Sequence, residues 1–322
     1  MKDQKNPYPS IILWITKYTG RLAAAFIIAI LLITSVFFIG NALVENDVVE
    51  HRNASMAHWT ALNIMATSQE MRRREKDFIL RKDVAYSEKY YLLSTAAMDM
   101  IEKMKGLPIG DKYAHLLRDI GDSIHEHKQQ FSLSLLTLQN LGMTPDKGLI
   151  GEMNSTASAM DKLMPALIFD PQIKIDWLEI QNRVANYLVT GKLVNIPPLS
   201  QIVDDMKQRL NQKKILPEIQ DQAVGLLDRY VLQYNNVQLQ QEIYKDETEK
   251  LTTIFQRYEI AVNTLLDMTA VESRAESENI SNTIYYSTLF LSLLALLSVL
   301  ILSLMAILVL RKISKLSRET SV

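Results

Sequence analysis

The sequence predicts an all-α protein: two transmembrane helices flanking an extracytoplasmic domain of two stacked helical bundles. Three observations carry this prediction. Two long runs, 22–44 and 279–310, contain no charged residue. Only 10 Gly and 9 Pro occur in 322 residues, too few for the turns of an all-β fold. Between the two runs, stretches of Leu, Met, Ala, Glu, Gln, Lys and Arg favour helix.

Leu22 to Val44 spans 23 residues and Asn279 to Leu310 spans 32. Each exceeds the roughly 20 residues that cross a hydrocarbon core. The first transmembrane helix is assigned to 22–44 and the second to 284–310. The first run follows 21 residues and lacks a small-residue cleavage signature, so it reads as an uncleaved signal anchor rather than a removed signal peptide. The alternative for either run is a buried core helix. The shared pattern of flanking cations argues against it.

Charge gives the orientation. Residues 1–21 carry Lys2, Lys5, Lys17 and Arg21 against Asp3, and 311–322 carry Arg311, Lys312, Lys315 and Arg318 against Glu319. The segment between holds 27 basic and 34 acidic residues. Basic residues at the outer ends of both runs predict that both tails are cytoplasmic and that the main domain, 45–283, is extracytoplasmic.

Composition also excludes classes. Cysteine is absent, which removes disulfides, thiolate metal sites and a cysteine nucleophile. Net charge is −1, so the chain has no electrostatic case for nucleic acid. No phosphate loop, nucleophile elbow or HExxH occurs. His125 and His127 stand two apart, on different helix faces, and His51 and His58 lie two turns apart. The expectation is therefore a non-enzyme with neither metal nor cofactor.

The 45–283 segment reads as helices at 45–104, 111–141, 148–168, 171–190, 200–214 and 218–282. The breaks are Lys105–Gly110, Leu141–Gly148, Asp170-Pro171, Gly191–Pro198 and Leu216-Pro217. Asp170-Pro171 has the form of an N-cap followed by Pro at the first helical position. Helices this long must bury a stripe against neighbours, and 239 residues are enough for two bundles. A weak internal repeat accompanies them. Residues 75–82 can be laid on 184–191, and 116–119 on 226–229, at offsets of 109 and 110. Duplication and chance matching of helical sequence both account for it.

Met71-Arg72-Arg73-Arg74-Glu75-Lys76-Asp77-Phe78-Ile79-Leu80-Arg81-Lys82-Asp83 resembles the first-helix signature of helical bimodular sensory domains. The stretch from Leu141 to Glu152, with Gly142, Gly148 and Gly151, is similar to a Gly-rich stretch of the same family. The resemblance covers roughly 45–310 and departs after Glu152, where this chain has Met153-Asn154-Ser155-Thr156. It implies a fold of two stacked bundles between membrane spans of a bacterial chemoreceptor or sensor histidine kinase. It also implies small organic acid ligands, acetate and tricarboxylic-acid-cycle intermediates among them, and pairing as a homodimer through the first helix. The tail 311–322 looks like the start of a HAMP linker, with Ser314-Lys315 where the family has Pro. Either an output module is missing or the chain acts through a partner in the membrane.

A heptad stripe laid on the first helix runs Leu62, Met65, Gln69, Arg72, Lys76, Ile79, Asp83, Tyr86, Tyr90, Leu93, Ala97, Met100, Met104. It turns polar at its centre. A cation facing a core needs a partner, and a ligand carboxylate would supply one. Arg72, Arg73 and Lys76 are therefore candidate ligand-binding residues; the bland alternative is an internal salt bridge. A second candidate set is Arg183 with Tyr187, one helical turn apart, together with Tyr230 and Tyr234. The function expected is a transmembrane input module that transmits by helix displacement. The alternative is a membrane-tethered scaffold with no ligand of its own.

Overall fold

A computed structural model describes residues 8–167, 170–192, 198–212 and 216–319. Lys2, Lys5, position 168, the 193–197 part of one predicted break, positions 213–214 of another helix, and the last three residues lie outside the described residues.

The described residues contain helices and no strand, so the fold class is all-α. The helices are α1 (Tyr8–Arg81), α2 (Val84–Lys105), α3 (Ala114–Leu141), α4 (Gly148–Leu163), α5 (Pro171–Thr190), α6 (Leu199–Gln212) and α7 (Pro217–Glu319). Short 3-10 turns occupy Gly110–Tyr113 and Met164–Leu167. Two helices are long and apolar enough to cross a membrane: α1 from Phe26 onward, and α7 up to Arg311. Neither apolar window is buried against protein.

Local chemistry sets the boundaries. The Asp170 side chain accepts from Gln172 N–H at 3.0 Å and Pro171 opens α5, as the cap pattern predicts. The helix predicted over 45–104 is instead two helices. Lys82 has φ of 55°, and the Asp83 side chain caps the next helix by accepting from Ala85 N–H at 2.9 Å. A left-handed residue other than Gly costs about 1–2 kcal/mol. Lys82→Gly should therefore raise the chain's stability by about 1 kcal/mol, which a thermal melt followed by circular dichroism would detect.

The break at Lys82 also bears on the repeat. Lys82 N–H bonds the Phe78 carbonyl at 2.7 Å, and Gly191 N–H bonds the Tyr187 carbonyl at 2.8 Å. These are equivalent positions in the 109-residue offset, and Gly191 also has a left-handed φ of 65°. The internal similarity thus coincides with two helix ends built alike.

The α3–α4 connection explains the Gly-rich stretch. Gly142 has φ of 112°, and a Cβ there would lie 2.0 Å from the Lys147 carbonyl oxygen. A Cβ on Gly148 would lie 2.5 Å from the Asn140 carbonyl oxygen. Asn154, beyond the point where the family pattern departs, donates its amide to the Pro145 carbonyl at 2.7 Å and pins the same loop.

The chain divides into two compact units. The first comprises Met1–Leu62, Gly106–Lys112 and Leu266–Val322. In it α1 and α7 run antiparallel, since their pairings step in opposite directions. Asp47 accepts from Thr283 at 2.5 Å, the Ser55 and Ser273 hydroxyls lie 3.4 Å apart, and His58 Nδ1 meets Thr269 at 3.3 Å. Lys112 and Glu272 form an ion pair.

The second unit comprises Asn63–Lys105 and Tyr113–Leu265. Two sets of buried side chains fill it. One joins α1, α2, α3 and part of α7, with Phe78 edge-on to Phe131 at 5.4 Å and Tyr90 against Phe131 at 4.2 Å. The other joins α4, α5, α6 and the start of α7 around Met160, Trp177, Ile180, Met206 and Leu227.

The buried row of α1 is Ala54, Ala57, Ala61, Ile64, Ser68, Met71, Glu75, Phe78. That is one residue earlier than the stripe read from sequence, a rotation of about 100°. Small Ala and Ser residues form much of the contact face, so bulk and hydropathy point to the wrong side of the helix. Beyond the break the two readings meet again at Tyr90, Ala97 and Met104.

Candidate functional site

The rotation of α1 puts a carboxylate where a cation was expected. Glu75 is fully buried. Arg72, one turn before it, forms an ion pair with Glu75 Oε1. His127 of α3 approaches Glu75 Oε2 with Nε2 at 3.1 Å. The other ring nitrogen, Nδ1, lies 2.7 Å from the Tyr90 hydroxyl of α2. Arg72 also donates to Thr252 Oγ1 at 2.9 Å and lies over the Phe255 ring at 5.1 Å. Ser68 and Tyr258 hydroxyls bond each other one layer away.

The result is a four-helix polar network inside an apolar core. Burial pushes the Glu75 carboxyl up. The hydrogen bond and charge of His127, and then those of Arg72, outweigh burial and hold the group below its ordinary value of 4.5. Burial raises Tyr90, as do the charges nearby, so its hydroxyl keeps its proton. His127 thus bridges α1 and α2, with one ring nitrogen facing the Glu75 carboxylate and the other bonded to the Tyr90 hydroxyl.

The sequence-predicted residues separate accordingly. Arg72 faces inward, with its side chain 14% exposed, and its carboxylate partner is internal. Arg73 is 71% exposed and reaches only toward Glu70, at 3.9 Å. Lys76 is exposed. The inward orientation expected of Lys76 is therefore corrected by the one-residue shift of the stripe, and Arg73 lies outside the buried face as well.

In the second set, the Arg183 guanidinium donates to Glu179 Oε1 at 3.2 Å from Nε and at 2.7 Å from one terminal nitrogen. Tyr187 and Tyr234 do come together, edge to face at 5.6 Å, and Gln238 donates to the Tyr234 hydroxyl at 2.7 Å. Tyr230 packs on Trp177 at 5.1 Å. Burial pushes Tyr234 up to about 12 and raises Tyr187 and Tyr230. All three are buried, and Tyr187 also lines the cleft described below. Arg209 Nε, 3.1 Å from the buried Asp176, adds a further guanidinium–carboxylate pair.

Three central residues, Glu75, Tyr90 and His127, were not among the sequence candidates. His127 had a readable signal. It stands in a three-four row on α3 with Leu117, Ile120, Ile124, Phe131, Ser134, Leu138 and Leu141, all buried. A His in such a row needs polar partners.

A cleft of about 450 Å³ lies elsewhere in the second unit. Lys82, Gly142 and Gly191, the residues just past the ends of α1, α3 and α5, line it. Leu138, Leu141, Ile150 and Leu188 form its apolar wall, and α7 crosses it at Gln241–Lys245. The α7 row is fully buried at Tyr234 and Val237 and again from Leu251, but only half-buried at Gln241, Tyr244 and Glu247 between. Among the described residues no cluster of three or more His, Asp or Glu side chains is placed to hold a metal ion. No protein-family model, no curated protein and no solved structure matches this chain.

Proposed function

We propose that the protein is a membrane-anchored sensory input module, with both termini in the cytoplasm and its helical domain outside. One observation carries the proposal: α7 is a single helix that holds buried positions from Ala223 to Thr269 and then an unburied apolar stretch ending in basic residues. A repacking of the helical domain therefore displaces the helix that enters the membrane. A shift of about 1–2 Å is the size used by such devices, and it requires a ligand with different affinity for two packings. The antiparallel pairing of α1 and α7, with Arg21 and Arg311 near the outer ends of their apolar runs, supports the two-pass orientation. The two buried sets of the second unit fit the two-bundle expectation.

A second reading has its own support. Glu75 supplies Arg72 with the carboxylate that an organic acid ligand would bring. A domain with that site filled from within suits a membrane-tethered scaffold that binds a partner protein and senses nothing.

The chain lacks cysteine, so paired labels can be introduced without background. The 322-residue chain carrying Glu45→Cys/Asn279→Cys, spin-labelled in lipid nanodiscs, is to be screened against C2–C6 carboxylates, amino acids and amines. Saturation at 100 times the dissociation constant adds about 2.7 kcal/mol of stability, visible as a thermal shift. Sensing predicts a stabilising compound that also moves the label distance by about 1–2 Å. A folded sample that answers no compound, and copurifies with a membrane partner, would sink the sensory reading in favour of the scaffold.

A further inference from the structure

We propose that the cleft at the ends of α1, α3 and α5 binds a small zwitterion with an apolar side chain, an α-amino acid of the leucine type. The proposal deepens the sensory reading and rests on it for its consequence, though not for the binding itself.

The cleft's volume, about 450 Å³, is in the range of small-molecule sites. Its chemistry has three parts. Leu138, Leu141, Ile150 and Leu188 offer an aliphatic wall. Three helices terminate at the rim, where Lys82, Gly142 and Gly191 N–H close their last turns on the Phe78, Leu138 and Tyr187 carbonyls. The first turn of α4, to which Ile150 belongs, opposes these helix ends, so the negative charge of the rim is that of Glu242. An ammonium group is favoured beside it. Lys82 and Lys245, both exposed, stand at the same rim and favour a carboxylate. A plain acid would meet Glu242, and a plain amine would meet the two lysines. A zwitterion satisfies both, and an aliphatic side chain covers the wall.

The cleft also reaches a buried hydroxyl of α7. Tyr244 lines it, yet the Tyr244 hydroxyl is buried without a hydrogen-bond partner. Burial and the charges of Glu247 and Glu75 push that hydroxyl up to about 12. Tyr244 is on α7, the helix that carries any movement onward.

The test uses the 322-residue chain in nanodiscs and three probes: L-leucine, 3-methylbutylamine, which lacks the carboxylate, and 4-methylpentanoate, which lacks the ammonium. Calorimetry should give binding of leucine, with both analogues at least tenfold weaker. Leu188→Trp, which fills the cleft, should abolish binding. Lys82→Gly, which removes the ammonium while suiting the left-handed backbone, should weaken leucine at least fivefold in a protein that melts no lower than the parent. No leucine binding overturns the proposal, and so does an analogue that binds as tightly as leucine. Leucine binding unchanged in both variants puts the ligand elsewhere and also overturns it, while the sensory reading stands. Variant-sensitive binding with no change in the 45–279 label distance retains the cleft and sinks the sensory reading alone.

Discussion

Replacing Glu75 by Ala is expected to destabilise the chain by about 3 kcal/mol, because removing one partner of a buried ion pair leaves the others uncompensated. Arg72 keeps the Thr252 hydroxyl and the Phe255 face, and His127 Nε2 loses the carboxylate it faces. Glu75→Gln keeps shape and one acceptor oxygen, so it should cost less. Acid stability gives the sharper readout. The folded-state Glu75 carboxyl lies below its ordinary 4.5. A group lowered by folding contributes stability above its unfolded value and loses it as pH falls through the folded value. The parent should thus lose stability as pH drops below about 4.5, and Glu75→Gln should lack that component. Thermal melts of both proteins across pH 3–7 check it. Parallel acid profiles would mean that Glu75 is not held by Arg72 and His127.

The same residue explains what the sequence could and could not convey. Two apolar runs, a helical segment between them and most of the breaks are legible, because length, Gly, Pro and capping residues act locally. Asp170-Pro171 is a cap in the structure as in the sequence. The face of α1 was not legible. Ala54, Ala57, Ala61 and Ser68 allow close helix approach, while Trp59 and Leu62 beside them are exposed. Reading bulk as burial rotates the helix by one residue, and that rotation exchanges Glu75 for Lys76. Charged residues are rarely fully buried unless paired, so a core Glu is the least expected choice at that position. Its partner His127 comes from another helix and is visible only through the row on α3.

The cleft was legible only in pieces. Gly142 and Gly191 mark helix ends in the sequence, but Lys82 does not, since nothing in its type demands a left-handed backbone. Asp83, capping α2 from the next position, is the force that ends α1 there. Without that break the sequence offers one long helix, and no cleft can form at its side.

Gly142→Ala is the second large effect expected, a loss of about 3 kcal/mol from a backbone region closed to side chains. A Cβ at φ of 112° would sit 2.0 Å from the Lys147 carbonyl oxygen, well inside contact distance, and that oxygen belongs to backbone. The loop cannot yield cheaply. Gly142 N–H caps α3 on the Leu138 carbonyl at 3.0 Å, and Lys147 accepts from Gly151 N–H at 3.0 Å at the start of α4. Relief would unwind one helix end or the other. Gly225, exposed on α7, is the control, since a Cβ added there would meet nothing within 4 Å. Gly225→Ala should stabilise by about 0.5–1 kcal/mol through helix propensity alone. Because Gly142 lines the cleft, its Ala variant should also bind leucine more weakly than its melting loss accounts for at temperatures where it remains folded. Equal stability of the Gly142→Ala and Gly225→Ala proteins would mean that the α3–α4 loop relaxes freely. It would then not be the fixed wall that the cleft requires.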